Sequence, residues 1–302
     1  MAEVTSGRTG YRHPLYRASL GAWGTPRELP TSGGWLLVRQ VPGDDAVDAI
    51  AGYPRLQCDD WSALGTDLAA QADLVSIVGV TDPFAGFDPV DLRRAFPTAV
   101  RPYKDHSVID LAAPSVSAGH RARVRRVARV VEVEVDEEPR DHIATWERLY
   151  ETLRRRHDLR GIKALSEEAF VAQLQVPGCL ALRATHRGTP VSMLLWYAQE
   201  GVAYYHLGAS SKDGYEISAS YALFDAAIAF YRARGLRWLD LGANAGADPS
   251  ADGLARFKRG WTPLTKPTWL CCRIGRPERY DRLVAERGAS SFFPAYRSPD
   301  EA

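Results

Sequence analysis

The chain has 302 residues, 45% hydrophobic and 25% charged, with 38 basic side chains against 37 acidic ones. This composition supports a packed core and excludes low-complexity disorder and collagen-like repeats. The length favours two domains, because single cores stop growing near ~250 residues. A net charge of +1 gives no global attraction for nucleic acid or an anionic membrane, so any such partner must be held by a local patch. Gly34 to Val41 reads as a buried strand, and Trp61 to Ala72 has helical spacing through Leu64 and Leu68. Leu74 to Val80 is a second strand, Pro89 to Phe96 a short helix and Ser107 to Leu111 a third strand. Ala112 to Gly119 has linker chemistry and places the domain boundary, giving a smaller N-terminal lobe over 1–115 and a second lobe over 120–285, followed by a tail at 286–302.

The second lobe opens with a basic helical segment, Arg121 to Arg129, then a half-exposed strand in which Val131, Val133 and Val135 alternate with glutamates. Asp141 to His157 is an amphipathic helix burying Ile143, Trp146, Leu149 and Leu153, and Ser166 caps a helix running to Leu174. Strands at 179–186, 191–199 and 202–209 follow, joined at Arg187-Gly188 and Glu200-Gly201; turns so short imply an antiparallel meander. A long helix from Ile217 to Arg234 ends at Gly235. A strand at 236–241, a short helix at 251–258 and a last strand at 267–274 complete the lobe. Its order is β-α-α-β-β-β-α-β-α-β. The crossover through the long helix makes the strands 202–209 and 236–241 parallel, one parallel step in an otherwise antiparallel mixed sheet of an α/β (α+β) protein.

Met1 to His13 has no apolar stretch suited to a secretory signal, and the longest apolar run, Met193 to Ala198, is far short of the ~20 residues of a membrane span. A cytoplasmic location is expected. The four cysteines show no CxxC spacing, so neither a disulfide framework nor a metal site is expected. Of the adjacent Cys271 and Cys272, one is expected to face the core.

The element order is similar to the GNAT acyltransferase superfamily, and Gly253-Leu254-Ala255-Arg256-Phe257-Lys258-Arg259-Gly260-Trp261 resembles the signature of the Fem-type transferases within it. Trp238-Leu239-Asp240-Leu241-Gly242 resembles the aromatic-x-Asp strand preceding that signature, although the glycine follows the aspartate by two. His106-Ser107-Val108-Ile109-Asp110-Leu111, followed by an arginine-rich helix, is a third likeness. The resemblance spans about residues 75 to 275. It implies two GNAT-like lobes and transfer of an acyl group to an amine. Fem-type members take an amino acid from aminoacyl-tRNA, and near relatives are described only as acetyltransferases. The sequence departs from the CoA-binding pattern at Ser210-Ser211-Lys212-Asp213-Gly214-Tyr215-Glu216, where one glycine stands for the usual two. Lys212 could add a charge for a phosphate there, with Asp213 and Glu216 opposing it.

Acyl transfer to an amine passes through an oxyanion, and donors aimed at it supply much of the catalysis. The resemblance assigns that role to Lys258, with Phe257 shaping the acyl pocket; without it, Lys258 reads as a surface lysine and Phe257 as core. The amine must also lose a proton. His206 and Asp240 are equal candidates for that base, against ordinary readings as a packed histidine and as a carboxylate pinning the turn at Gly242. Tyr204, Lys212, Tyr215 and Lys104 are candidate substrate-binding residues; Tyr103, Lys104 and His106 stand before the linker, where they could meet an anionic acceptor or simply lead into a strand. Arg121, Arg123, Arg125, Arg126 and Arg129 place five arginines in nine residues without an acid between them, and Arg154, Arg155, Arg156, Arg160 and Lys163 form a second cluster. Either a tRNA acceptor stem or plain solvent accounts for such helix faces.

The expected activity is therefore N-acyl transfer, with an aminoacyl group from aminoacyl-tRNA passed to a small molecule or peptide, as in antibiotic tailoring or peptide bond formation. The alternatives are an acyl-CoA-dependent N-acyltransferase and a non-catalytic RNA- or ligand-binding protein of the same fold. No long helical hairpin arm is evident, which favours a small-molecule acceptor over peptidoglycan.

Overall fold

A computed structural model describes residues 7–157, 161–243 and 253–298. The strands are β1 (Thr25–Glu28), β2 (Trp35–Gln40), β3 (Val47–Ala51), β4 (Leu74–Val80), β5 (Ala99–Asp110), β6 (Glu132–Asp136), β7 (Cys179–His186), β8 (Thr189–Gln199), β9 (Val202–Ser210), β10 (Trp238–Ala243) and β11 (Thr265–Ile274). Two compact units emerge, and they are not the consecutive lobes 1–115 and 120–285. One contains Met1–Ser19, Asp105–Leu159 and Lys163–Lys266; the other contains Leu20–Lys104, Arg160–Ile162 and Pro267–Ala302. The division is discontinuous because strand pairing overrides chain order: β11 lies antiparallel to β4, which carries the C-terminal residues into the unit built by the first hundred.

In that unit the strand order is β1-β2-β3-β4-β11, with residues 99–104 of β5 beyond it. Pairings are antiparallel except β3 with β4. Leu36, Leu64, Leu68, Ile77, Leu92, Phe96 and Cys271 form its core. Both Cys271 and Cys272 are buried, not one of the two, since the strand is covered on both faces. The segment read as a tail is also structural. Helix Pro277–Arg287 and the residues after it bury Tyr280, Leu283, Tyr296 and Arg297.

The other unit holds residues 105–110 of β5, then β10-β9-β8-β7-β6. The meander β7-β8-β9 is antiparallel throughout. Its turns place Arg187 and Glu200 at φ +50°, followed by Gly188 at +75° and Gly201 at +79°, the left-handed pairs that match strand twist in two-residue hairpins. At the sheet edge β6 is exposed almost throughout, more so than its alternating pattern predicts. The predicted parallel step is present: Trp238, Leu239 and Asp240 pair with Val202, Ala203 and Tyr204. Between those strands the predicted helix Ile217–Arg234 is present as Ser220–Ala233, and the segment read as a turn forms a separate short helix, Lys212–Ile217, with Ser218 at φ +64° between the two. Helix Ser220–Ala233 buries Leu223, Phe224, Ala227 and Tyr231 against Trp196 and Trp261 of the core. Ser117 caps the basic helix, Ala118–Val127, by accepting from His120 N at 3.2 Å. Asp158, Arg160 and residues 251–252 lie outside the described residues. No helix among the described residues is long and apolar enough to cross a membrane.

Candidate active site

The site forms where β10 ends. The parallel pairing of β10 with β9 stops at Asp240–Tyr204, and on its other side β10 carries a bulge. Asp240 pairs with Val108 and Ala243 with His106, so three steps along β10 answer two along β5. A bulge inserts a residue and re-aims the side chains around it, and such irregularities are common beside active sites. Gly242 sits in this bulge at φ +76°, a conformation that strains any residue with a Cβ.

Three side chains converge on this irregularity, all within one unit. Asp240 is fully buried and accepts from His106 Nδ1 at 2.9 and 3.0 Å and from Gly242 N at 2.7 Å. Lys258 is only 3% exposed, and its ammonium donates to Gly242 O at 3.1 Å and Ala243 O at 2.6 Å. Gly242 is thereby held from both peptide sides, by a carboxylate at its N–H and by an ammonium at its carbonyl. A buried carboxylate and a buried ammonium each need such partners, because an unpaired charge is expensive to desolvate. Lys258 is thus not the surface lysine that its arginine neighbours suggest.

The remaining candidates divide between packing and surface. Phe257 packs edge-on against Tyr221 and Phe224, and its carbonyl accepts from His120 Nε2 at 2.9 Å. This contact seats helix Gly253–Trp261 on the core and turns Lys258 towards β10. His206 takes the packed role: Nδ1 meets Tyr11 Oη at 3.1 Å, Nε2 meets Gln173 Oε1 at 3.0 Å, and its ring lies against Tyr197. With both nitrogens engaged it is poorly placed to accept an amine proton. Tyr204, the ladder neighbour of Asp240, is buried beside Tyr11.

Lys212 has a side chain 87% exposed and faces Glu216 at 4.0 Å. Tyr215 lies beneath the Arg156 guanidinium, 4.2 Å from its ring centre. In the same turn Ser211 caps the short helix by accepting from Gly214 N, and a Cβ on Gly214 would stand 2.2 Å from Val191 O. That glycine is demanded by close approach to β8 and requires no phosphate to explain it. Lys104 belongs to the other unit, where its backbone pairs with Thr268 and its ammonium lies over Tyr103.

On the basic helix, Arg121 donates to Val116 O, and Arg123 donates to Ser218 Oγ at 3.2 Å while stacking over Tyr221. Arg125, Arg126 and Arg129 are exposed and make no ion pair among the described residues. The second cluster is largely spent internally. Arg154 reaches Glu151 and Leu165 O, Arg155 reaches Glu151, and Arg156 stacks on Tyr215.

Comparison with known proteins assigns this unit. The family model described as an acetyltransferase (GNAT) domain matches residues 115–259. Residues 115–259 are a GNAT acetyltransferase domain. The chain is accordingly a GNAT-type acyltransferase, and Asp240, Gly242 and Lys258 all lie inside the matched segment. Its fold is also similar to that of "FemX", at TM-score 0.68 and 14% identity, covering 92% of this chain and 95% of that one. The C-terminal domain (DUF2156) of a putative lysylphosphatidylglycerol synthetase from Agrobacterium fabrum is similar at TM-score 0.61 and 17% identity, over 91% and 92% of the two chains. L-PGS from Bacillus licheniformis gives 0.58 and 15%, over 93% and 98%. The fold is thus that of Fem-type proteins along nearly the whole chain. A comparison with curated proteins finds no match.

The sequence offered His106 as a residue that could meet an anionic acceptor or simply lead into a strand, and not as the partner of Asp240. Its partner lies 134 positions away, and no local signal announces a contact made by strand pairing.

Proposed function

We propose that this acyltransferase moves an aminoacyl group from aminoacyl-tRNA to an amine of a small molecule or peptide, forming an amide. The observation that carries the choice of donor is the turn after β9. Ser211 occupies an amide at the start of the short helix, Gly214 is pressed against Val191 O, and Lys212 turns out beside Glu216. The turn offers poor provision for a pyrophosphate. Arg125 and Arg126 meanwhile stand exposed on the last turn of helix Ala118–Val127, with Arg129 exposed in the turn just after it, suited to phosphates of an acceptor stem. The likeness of fold to FemX and L-PGS, over 92% and 93% of the chain, accords with this reading. The donor is a cosubstrate, and no tightly bound cofactor enters the scheme.

In this scheme Lys258 acts chiefly by position. Its contacts with Gly242 and Ala243 fix the end of β10, and its buried charge favours the oxyanion that develops beside it. An acyl-CoA donor is the second reading, favoured by the acetyltransferase description of the domain. Binding across a salt series separates the two. The expected result is affinity for bulk aminoacylated tRNA that falls steeply with salt, the slope shrinking by about 0.9 for each arginine that reaches a phosphate when R125E, R126E and R129E are combined. Tight CoA binding without tRNA affinity overturns the proposed donor and leaves the acyltransferase assignment standing.

A further inference from the structure

The chemistry still lacks a group to take the proton from the attacking amine. We propose that His106 is that general base, with Asp240 as its positioning residue. The inference rests on acyl transfer to an amine and is independent of the donor.

An ionised carboxylate only accepts hydrogen bonds, so the 2.9 Å contact with Asp240 places the imidazole proton on Nδ1. Nε2 is then the lone-pair nitrogen. Among the described residues the His106 side chain makes no other hydrogen bond, and it keeps 11% of its surface exposed. The dyad therefore presents one basic nitrogen outward and hides its carboxylate completely. Asp240 is itself fixed by Gly242 N, and the ladder partner of His106, Ala243, is held through its carbonyl by Lys258. Base, orienting carboxylate and buried cation thus share one bulge of two adjacent peptides. Packing alone would not ask for a buried carboxylate and a buried ammonium at the end of one strand, and among the described residues Nε2 has no partner.

In the step itself, the amine nitrogen attacks the acyl carbon and a C–N bond forms while its proton passes to His106 Nε2. Collapse of the tetrahedral species breaks the bond from the acyl carbon to the donor's oxygen or sulfur. The imidazolium, stabilised by Asp240, returns its proton to that leaving atom. Amide and free alcohol or thiol result, and His106 is neutral again.

Two measurements test this. Imidazole nitrogen NMR of the intact protein, with the His106 signals assigned by their loss in H106Q, is expected to show the Nδ1–H tautomer in the wild type and a loss of that preference in D240N. An Nε2–H tautomer in the wild type overturns the proposal. In transfer assays supplied with bulk aminoacyl-tRNA and, separately, acetyl-CoA, H106Q is expected to lower kcat ~100-fold or more, with KM for the donor held within about threefold. Imidazole added to H106G should restore part of the lost rate. Near-wild-type kcat in H106Q overturns the proposal and leaves acyl transfer intact. Failure of the wild type to transfer from either donor overturns the reading beneath it.

Discussion

Asp48 on β3 offers a stability prediction whose size can be worked from geometry. It is buried and receives Arg297 Nε at 2.6 Å, Arg297 Nη2 at 3.0 Å, Arg39 Nε at 3.2 Å and Tyr296 Oη at 3.1 Å. Arg39 and Arg297 are 8% and 4% exposed, so one carboxylate supports two buried guanidinium groups. Burial lowers the pKa of Arg39, and the charge of Asp48 opposes that shift. Asp48→Asn keeps the shape and an acceptor oxygen but removes the charge from both pairs. Hydrogen bonds to charged groups contribute about 1.5–3 kcal/mol each, and breaking a buried pair costs about 3–5 kcal/mol. The expected loss is thus about 4 kcal/mol, read as a lowered urea midpoint at constant m-value. Arg297→Met should cost less, about 2 kcal/mol, because Asp48 keeps Arg39. The double variant should fall short of the sum by at least ~1 kcal/mol, since the two residues share one contact. A loss below ~1 kcal/mol for D48N, with additive doubles, would refute the claim that these C-terminal residues are clamped by charge.

Other perturbations have equally definite outcomes. Lys258→Met should lower transfer ~100-fold or more, and Lys258→Arg should restore little of it, because the larger planar guanidinium must fit a buried site filled by a compact ammonium; wild-type rates in K258M would remove Lys258 from the site. Gly214→Ala drives a Cβ to 2.2 Å from Val191 O and should destabilise the protein by about 1–3 kcal/mol in thermal unfolding, whereas a neutral change would show that β8 yields easily. Burial pushes the Cys271 thiol up to about 12 and the Cys272 thiol to about 11. Both should resist iodoacetamide at pH 8 until the chain unfolds. Their pKa is raised in the folded state, so their contribution to stability is complete below the free thiol's ~8.5 and is lost as pH climbs towards 11 and 12. Rapid labelling of the folded protein would contradict their burial.

Elements whose stability is local were readable from the sequence. Cys179–His186 and Leu74–Val80 appear with the predicted bounds because their apolar runs are continuous and their ends carry turn chemistry. The antiparallel meander and the parallel step followed from connection length alone. What the sequence concealed was made by pairing across long separations. β5 begins eight residues before the predicted strand, through Arg101, Pro102, Tyr103 and Lys104, whose polar character hides a partner supplied by β11. β1 and β3 pair locally with β2 and were not anticipated because their residues lack an apolar pattern, β1 carrying Pro26, Arg27 and Glu28 and β3 burying Asp48; Tyr296 and Arg297 become core only when Asp48 and Ser76 are beside them. In the site, Lys258 and Asp240 stood out through a sequence signature. The bulge at Gly242 and the His106 contact did not, because both depend on how β5 and β10 align.

Product analysis decides whether the protein builds an amide from charged tRNA. The protein would be incubated with a mixed pool of small amines and short peptides and either bulk tRNA carrying labelled amino acids or labelled acetyl-CoA, and products would be examined for label that survives mild base. An amide resists base where the ester of charged tRNA does not. The expected result is base-stable label from charged tRNA, abolished in H106Q and K258M. Base-stable label from acetyl-CoA alone would contradict it.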